Sequence, residues 1–182
     1  MARWREGLAL AAAFAASAAH ASTPSDSEKG WVPNEDDSLL LEARLGRYRL
    51  GGEVQGYQTP DGVCVDFGQM VEALDVPVTL DPARGKAEGW VFEERNRLEV
   101  DRGAGTVTVR DRERPLAAGE LRETPDGWCV SAKSLAEWFG VELLPDLRNA
   151  LIQVRSPVKL PVELAAERKA RAASVRPLAE MK

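Results

Sequence analysis

One seven-residue phrase is written twice in this chain: Thr59-Pro60-Asp61-Gly62-Val63-Cys64-Val65 and, 65 positions later, Thr124-Pro125-Asp126-Gly127-Trp128-Cys129-Val130. Each copy reads as a turn feeding a short β-branched strand, because proline presets φ at the second turn position and glycine accepts a positive φ. The register continues without a gap, setting Glu72 against Glu137, Leu74 against Phe139, Val76 against Val141 and Asp81 against Asp146. The expected fold class is therefore α+β, with two tandem homologous units, each a small mostly antiparallel sheet with one short helix. The units span about 38–96 and 97–156.

The chain begins as an exported protein does. Arg3 and Arg5 precede an apolar run from Leu8 to Ala16, and Ala19-His20-Ala21 supplies small residues at a cleavage site. This is the layout of a secretory signal peptide over residues 1–21, and the run is too short for the ~20 residues that a bilayer core demands of a spanning helix. Residues 22–37 are polar and acidic with no apolar period, a flexible leader. No later stretch is long and apolar enough to be a transmembrane helix, so a periplasmic or secreted protein is expected.

Export decides how the two cysteines are read. In an oxidising compartment, a pair at equivalent repeat positions points to a Cys64–Cys129 disulfide, with two buried free thiols as the alternative. The sole histidine, His20, falls inside the leader peptide. A mature chain without histidine loses the commonest component of zinc and copper sites and of Ser-His and Cys-His nucleophile systems. No metal, cofactor or catalytic residue is expected. The formal charge of −5 offers no basic footprint for nucleic acid.

Along the chain, Leu39 to Leu45 alternates as a half-buried strand and Arg47 to Leu50 forms a second, which Gly51-Gly52 are expected to break. Asp66 stands as N-cap of a helix of about ten residues, with Gln69 completing a capping box. Val76 to Leu80 reads as a strand that Pro77 confines to an edge, and Gly89 to Phe92 as another. Leu98 to Val100 and Thr106 to Val109 flank a glycine-containing hairpin loop. Ser131 caps the second helix and Gly140 ends it, and two closing strands cover Val141 to Leu144 and Ala150 to Val154. Residues 157–182 carry six Lys or Arg against three Glu and form a mildly basic helical tail or linker, with a membrane-surface helix as the alternative.

The segment from Trp128 to Val154, and more loosely that from Val63 to Val91, resembles the duplicated unit of copper amine oxidase N-terminal-like domains, through Leu135-Ala136-Glu137-Trp138-Phe139-Gly140-Val141 and the following Asp146 turn and Ala150-to-Val154 strand. The resemblance covers about residues 38–156 and implies a non-catalytic stalk. Copper is not carried over with the family name, since that chemistry belongs to a separate histidine-bearing domain. Asp126-Gly127-Trp128-Cys129-Val130 through Leu160-Pro161-Val162-Glu163-Leu164 is also similar to the periplasmic N-terminal region of fimbrial usher-like outer-membrane proteins. There it precedes a β-barrel, so a chain ending at Lys182 would be a freestanding paralogue or part of a longer reading frame.

The function expected is that of a non-catalytic cell-envelope interaction or stalk domain, taking an envelope protein or peptide by strand addition. A cell-wall polysaccharide-binding module is the alternative. Trp31 and Trp90 are the candidate binding residues, as exposed aromatics can anchor partners, while Trp128 and Trp138 read as core. A carboxylate-based hydrolase would need Asp66 or Glu72 paired with Asp81 or Asp146. Each of these already has a local duty as helix cap, exposed helix residue or turn former.

Overall fold

A computed structural model describes residues 31–179, with side chains through 173. The expected signal peptide and most of the expected leader lie outside the described residues. In both copies of the repeated phrase, proline and aspartate form a two-residue turn, and glycine opens the next strand at φ 128° for Gly62 and 143° for Gly127. The threonine hydroxyl closes each turn, Thr59 donating to the Gly62 carbonyl and Thr124 to the Gly127 carbonyl, both at 3.1 Å.

These turns join β2 (Tyr48–Thr59) to β3 (Gly62–Asp66) and β9 (Leu121–Thr124) to β10 (Gly127–Ser131). Each hairpin runs directly into a helix, α1 (Phe67–Ala73) or α2 (Ala132–Phe139). The caps are those expected. Asp66 accepts from the Gln69 amide at 2.8 Å, Ser131 from the Ser134 amide at 3.0 Å, and Gly140 ends α2 at φ 67°. Gln69, however, does not complete a capping box; its side-chain oxygen accepts from the Gln55 amide of β2 at 2.6 Å, stitching helix to sheet.

β3 and β10 pair antiparallel, Val65 opposite Val130, within a seven-stranded sheet of order β11-β12-β1-β2-β3-β10-β9. Its remaining members are β1 (Ser38–Leu45), β11 (Glu142–Asp146) and β12 (Leu151–Arg155). β1 runs parallel to β12, the exception in an otherwise antiparallel sheet. The strands β4 (Val78–Asp81), β5 (Lys86–Trp90), β6 (Arg97–Asp101), β7 (Thr106–Val109) and β8 (Arg112–Pro115) form a separate antiparallel meander in sequence order. The α+β class therefore stands, with twelve strands and three helices among the described residues, the third being α3 (Pro161–Ala179).

The expectation that each unit owns a small sheet is corrected. Strands from both sides of the 96/97 boundary pair within each sheet, because β11 and β12 return to β1 whereas their counterparts β4 and β5 join β6. Hairpin and helix repeat; the sheets do not. One apolar cluster accordingly contains Leu41, Val65 and Ile152 from one sheet, Leu98, Val100 and Val107 from the other, and Phe67, Met70, Leu135 and Trp138 from the helices.

Gly51-Gly52 also behave otherwise than expected. β2 runs through them, with a register shift in its pairing to β1 between Glu42 and Arg44. Gly51 takes φ 58°, a backbone conformation that side-chain-bearing residues rarely adopt, so the glycine permits the bulge, which lies against Ala73 of α1. Pro77 falls just before β4, which is an edge strand, and β8 is the opposite edge of that sheet.

Because the pairing crosses the repeat boundary, residues 38–96 expressed alone should not fold. Their amide NMR spectrum is expected to show the narrow dispersion of an unfolded chain, whereas the whole chain should melt in one cooperative transition. A folded fragment with the parent's Tm would overturn the shared-core arrangement.

Candidate functional site

Cys64 and Cys129 form a disulfide, each 1% exposed, joining β3 to β10. The last residues of the expected leader lie over it. Trp31 packs on Tyr57 and the two cysteines, its ring edge-on to Tyr57 at a centroid distance of 6.1 Å. Its indole N–H donates to Asp37 at 3.2 Å, and the Arg122 guanidinium stacks over the ring at 5.4 Å. A short 3-10 turn, Glu35–Asp37, capped by the Asn34 side chain, leads from this contact into β1. Trp31 is thus held inside the molecule's own contacts, and it is not an open anchor.

Around the disulfide the repeat has kept geometry while changing chemistry. Asp61 accepts from Arg122 at 2.9 Å, and the equivalent Asp126 accepts from the Tyr57 hydroxyl, Tyr57 and Arg122 being themselves equivalent by the same 65-residue offset. The hydrogen bond to Asp126, with burial, pushes the Tyr57 phenol up to about 12. Burial likewise raises the Asp66 carboxyl, despite the N–H groups of α1 that it caps.

On the other side of α2 an open groove of about 1010 Å³ runs from the β2–β3 turn, across the outer face of the helix, to the edge strand β11. Ala117, Ala132, Ala136, Val141 and Leu143 supply apolar lining, and Leu144 and Leu147 stand at 40% and 43% exposure along its far wall. Arg114 braces the near wall. Its guanidinium grips Glu120 through two bonds of 2.7 and 2.8 Å and reaches Glu137 at 3.2 Å. Burial pushes Glu120 up, but Arg114, the Ala117 amide and the Ser134 hydroxyl outweigh it and hold the carboxyl below its usual range. The sequence reading missed this groove. Its signal was Leu143-Leu144: two adjacent apolar residues on a strand cannot both face the core.

Trp90 is 40% exposed at the end of β5, facing solvent in a second cleft beside Thr79, Glu88, Glu94 and Arg97. Trp128 and Trp138 are buried at 3% and 1%. The four carboxylates considered for hydrolysis lie on four different elements. Asp66 caps α1, Glu72 is exposed on that helix, Asp81 ends β4 and accepts from the Arg84 amide, and Asp146 ends β11 and accepts from Asn149 at 2.7 Å. Among the described residues no group of three or more His, Cys, Asp or Glu is arranged to hold a metal ion, and no helix is long and apolar enough to cross a membrane.

Two outcomes follow for the disulfide region. Replacing both cysteines with alanine should lower stability by about 4 kcal/mol in the chain-entropy account, read from urea unfolding. An acid whose folded value is raised contributes stability that is complete below its ordinary value and fades as pH rises through the folded one. For Tyr57 that window runs from about 10, the ordinary phenol value, to about 12. Ultraviolet titration should show this late-ionising phenol, and Asp126→Asn should move it back toward 10; an unmoved titration would contradict the Asp126 assignment.

Comparison of the chain with protein-family models, with curated proteins and with solved structures returns no match.

Proposed function

We propose that this chain is a non-catalytic interaction module of the cell envelope, periplasmic or secreted, built on a duplicated hairpin-and-helix unit like that of the copper amine oxidase N-terminal-like domains. It takes an extended segment of a protein partner alongside β11, as a periplasmic region of an usher-like assembly would. The observation that carries this reading is the coincidence of an unpaired sheet edge with the apolar groove: Leu144 and Leu147 lie exposed where an added strand would set its side chains. Main-chain pairing supplies affinity in this mode of recognition, and pockets beside the edge supply selectivity.

Pro145 limits the pairing. It lacks an N–H and is the fourth of the five residues of β11, so an added strand finds a short, interrupted ladder and must gain the rest of its affinity from the groove. The disulfide fits an oxidising compartment.

A photo-reactive amino acid at position 144 of the exported chain should give a discrete adduct with an envelope protein, abolished by Leu147→Asp. The same probe at Thr108, on the solvent side of the other sheet, should give none; equal labelling from both positions would sink the proposal. The mature protein should begin at Ser22 by N-terminal sequencing, and retention of Met1 would refute export.

A further inference from the structure

We infer that the chain carries a second binding site, independent of the β11 groove, on the solvent face of the five-stranded sheet: a saccharide platform centred on Trp90. Alternation along these strands separates two faces. Ala87, Leu98, Val100 and Val107 are fully buried, while the outward rows read Thr79, Glu88, Glu99, Thr108 in one register and Trp90, Arg97 in the next. On those outward rows Trp90 is the single aromatic side chain, and Arg97 stands directly opposite it across the β5–β6 pair.

The cleft beside the indole measures about 560 Å³, within the ~300–1,000 Å³ typical of small-ligand sites. Its shape depends on Gly89. A Cβ at that position would come within 2.1 Å of the Pro77 carbonyl oxygen, so only glycine lets the chain leading into β4 pass close under Trp90, whose amide donates to that same oxygen at 3.4 Å. The side chains of Glu94 and Arg97 make no hydrogen bond or ion pair among the described residues, although ten ion pairs occupy charged groups elsewhere on the surface.

The surroundings of the indole select the ligand class. A protein hot spot is ringed by contacts that exclude water, whereas the neighbours of Trp90 are a hydroxyl, two carboxylates and a guanidinium. That set offers an apolar plate for the C–H face of a pyranose ring, with acceptors and a forked donor for the hydroxyls at its rim. Both signs of charge are present, so a neutral sugar is matched better than a strongly ionic one. The occupant we assign is a β-linked chain of neutral pyranoses, whose rings present flat C–H faces.

Chitohexaose and cellohexaose, the first N-acetylated and the second plain, should be titrated into the full oxidised chain and followed by calorimetry and by the Trp90 indole N–H resonance. At least one is expected to bind with a Kd below about 1 mM and to shift that resonance. Trp90→Ala should weaken binding tenfold or more, Trp90→Phe should recover part of the loss, and Arg97→Ala should weaken it severalfold. Leu144→Asp should leave the affinity unchanged, which separates this site from the β11 groove. Failure of both hexasaccharides at millimolar concentration, or equal binding by Trp90→Ala with a native circular dichroism spectrum, would overturn the assignment.

Discussion

The pairing of β3 with β10 is the contact on which the rest of the molecule depends. It brings the two copies of one short phrase into a single sheet back to back, points α1 and α2 into one core, and is fixed covalently by a buried disulfide. A small hairpin-and-helix unit of this length buries too little apolar surface to stand alone. Pairing the two hairpins through β3 and β10 removes one exposed edge from each and gives both helices a common floor. Once that centre exists, β1 and β12 extend it on one side, and the meander closes over the remaining apolar faces.

The centre also shows how a duplicated element diverges without losing its frame. Thr59 and Thr124 still close identical turns, and Asp61 and Asp126 still receive a bond from the neighbouring hairpin. The donors have changed, from a guanidinium at 122 to a phenol at 57. The first leaves a cation free to stack on Trp31; the second supplies the ring edge that meets the same indole. One aromatic side chain therefore uses both members of a divergent pair, and it lies across the local symmetry instead of obeying it.

Much of this was legible in the residues because the local signals were strong. Proline-aspartate-glycine turns, the capping residues Asp66 and Ser131, the terminating Gly140 and the equivalent cysteines each specify geometry within a few residues. What was hidden depends on distance. Nothing local distinguishes β4 and β5, which join the meander, from β11 and β12, which return to β1, since the choice is made by tertiary pairing. Gly51-Gly52 look like a strand end, and their bulge is visible only in the register of β2 against β1. Trp31 looked exposed because its neighbours in sequence are polar, while its partners Tyr57 and Arg122 lie far along the chain. Trp90 was legible as an outward aromatic, but the polar row beside it required the strand register.

The parallel contact between β1 and β12 has a consequence for the order of events in assembly. Gln153 donates to the carbonyl of Arg44 across 109 positions of chain, and β1 sits between β12 and β2 in the sheet. Its outer edge stays open until β12, the last strand among the described residues, has emerged. Non-local closure of this kind slows folding, since the entropy of a long loop is lost before the contact forms. Slow completion of the sheet would suit the proposed export, since a polypeptide is threaded through a narrow translocation pore unfolded. Under that proposal, the sheet would be completed in the compartment where Cys64 and Cys129 are joined.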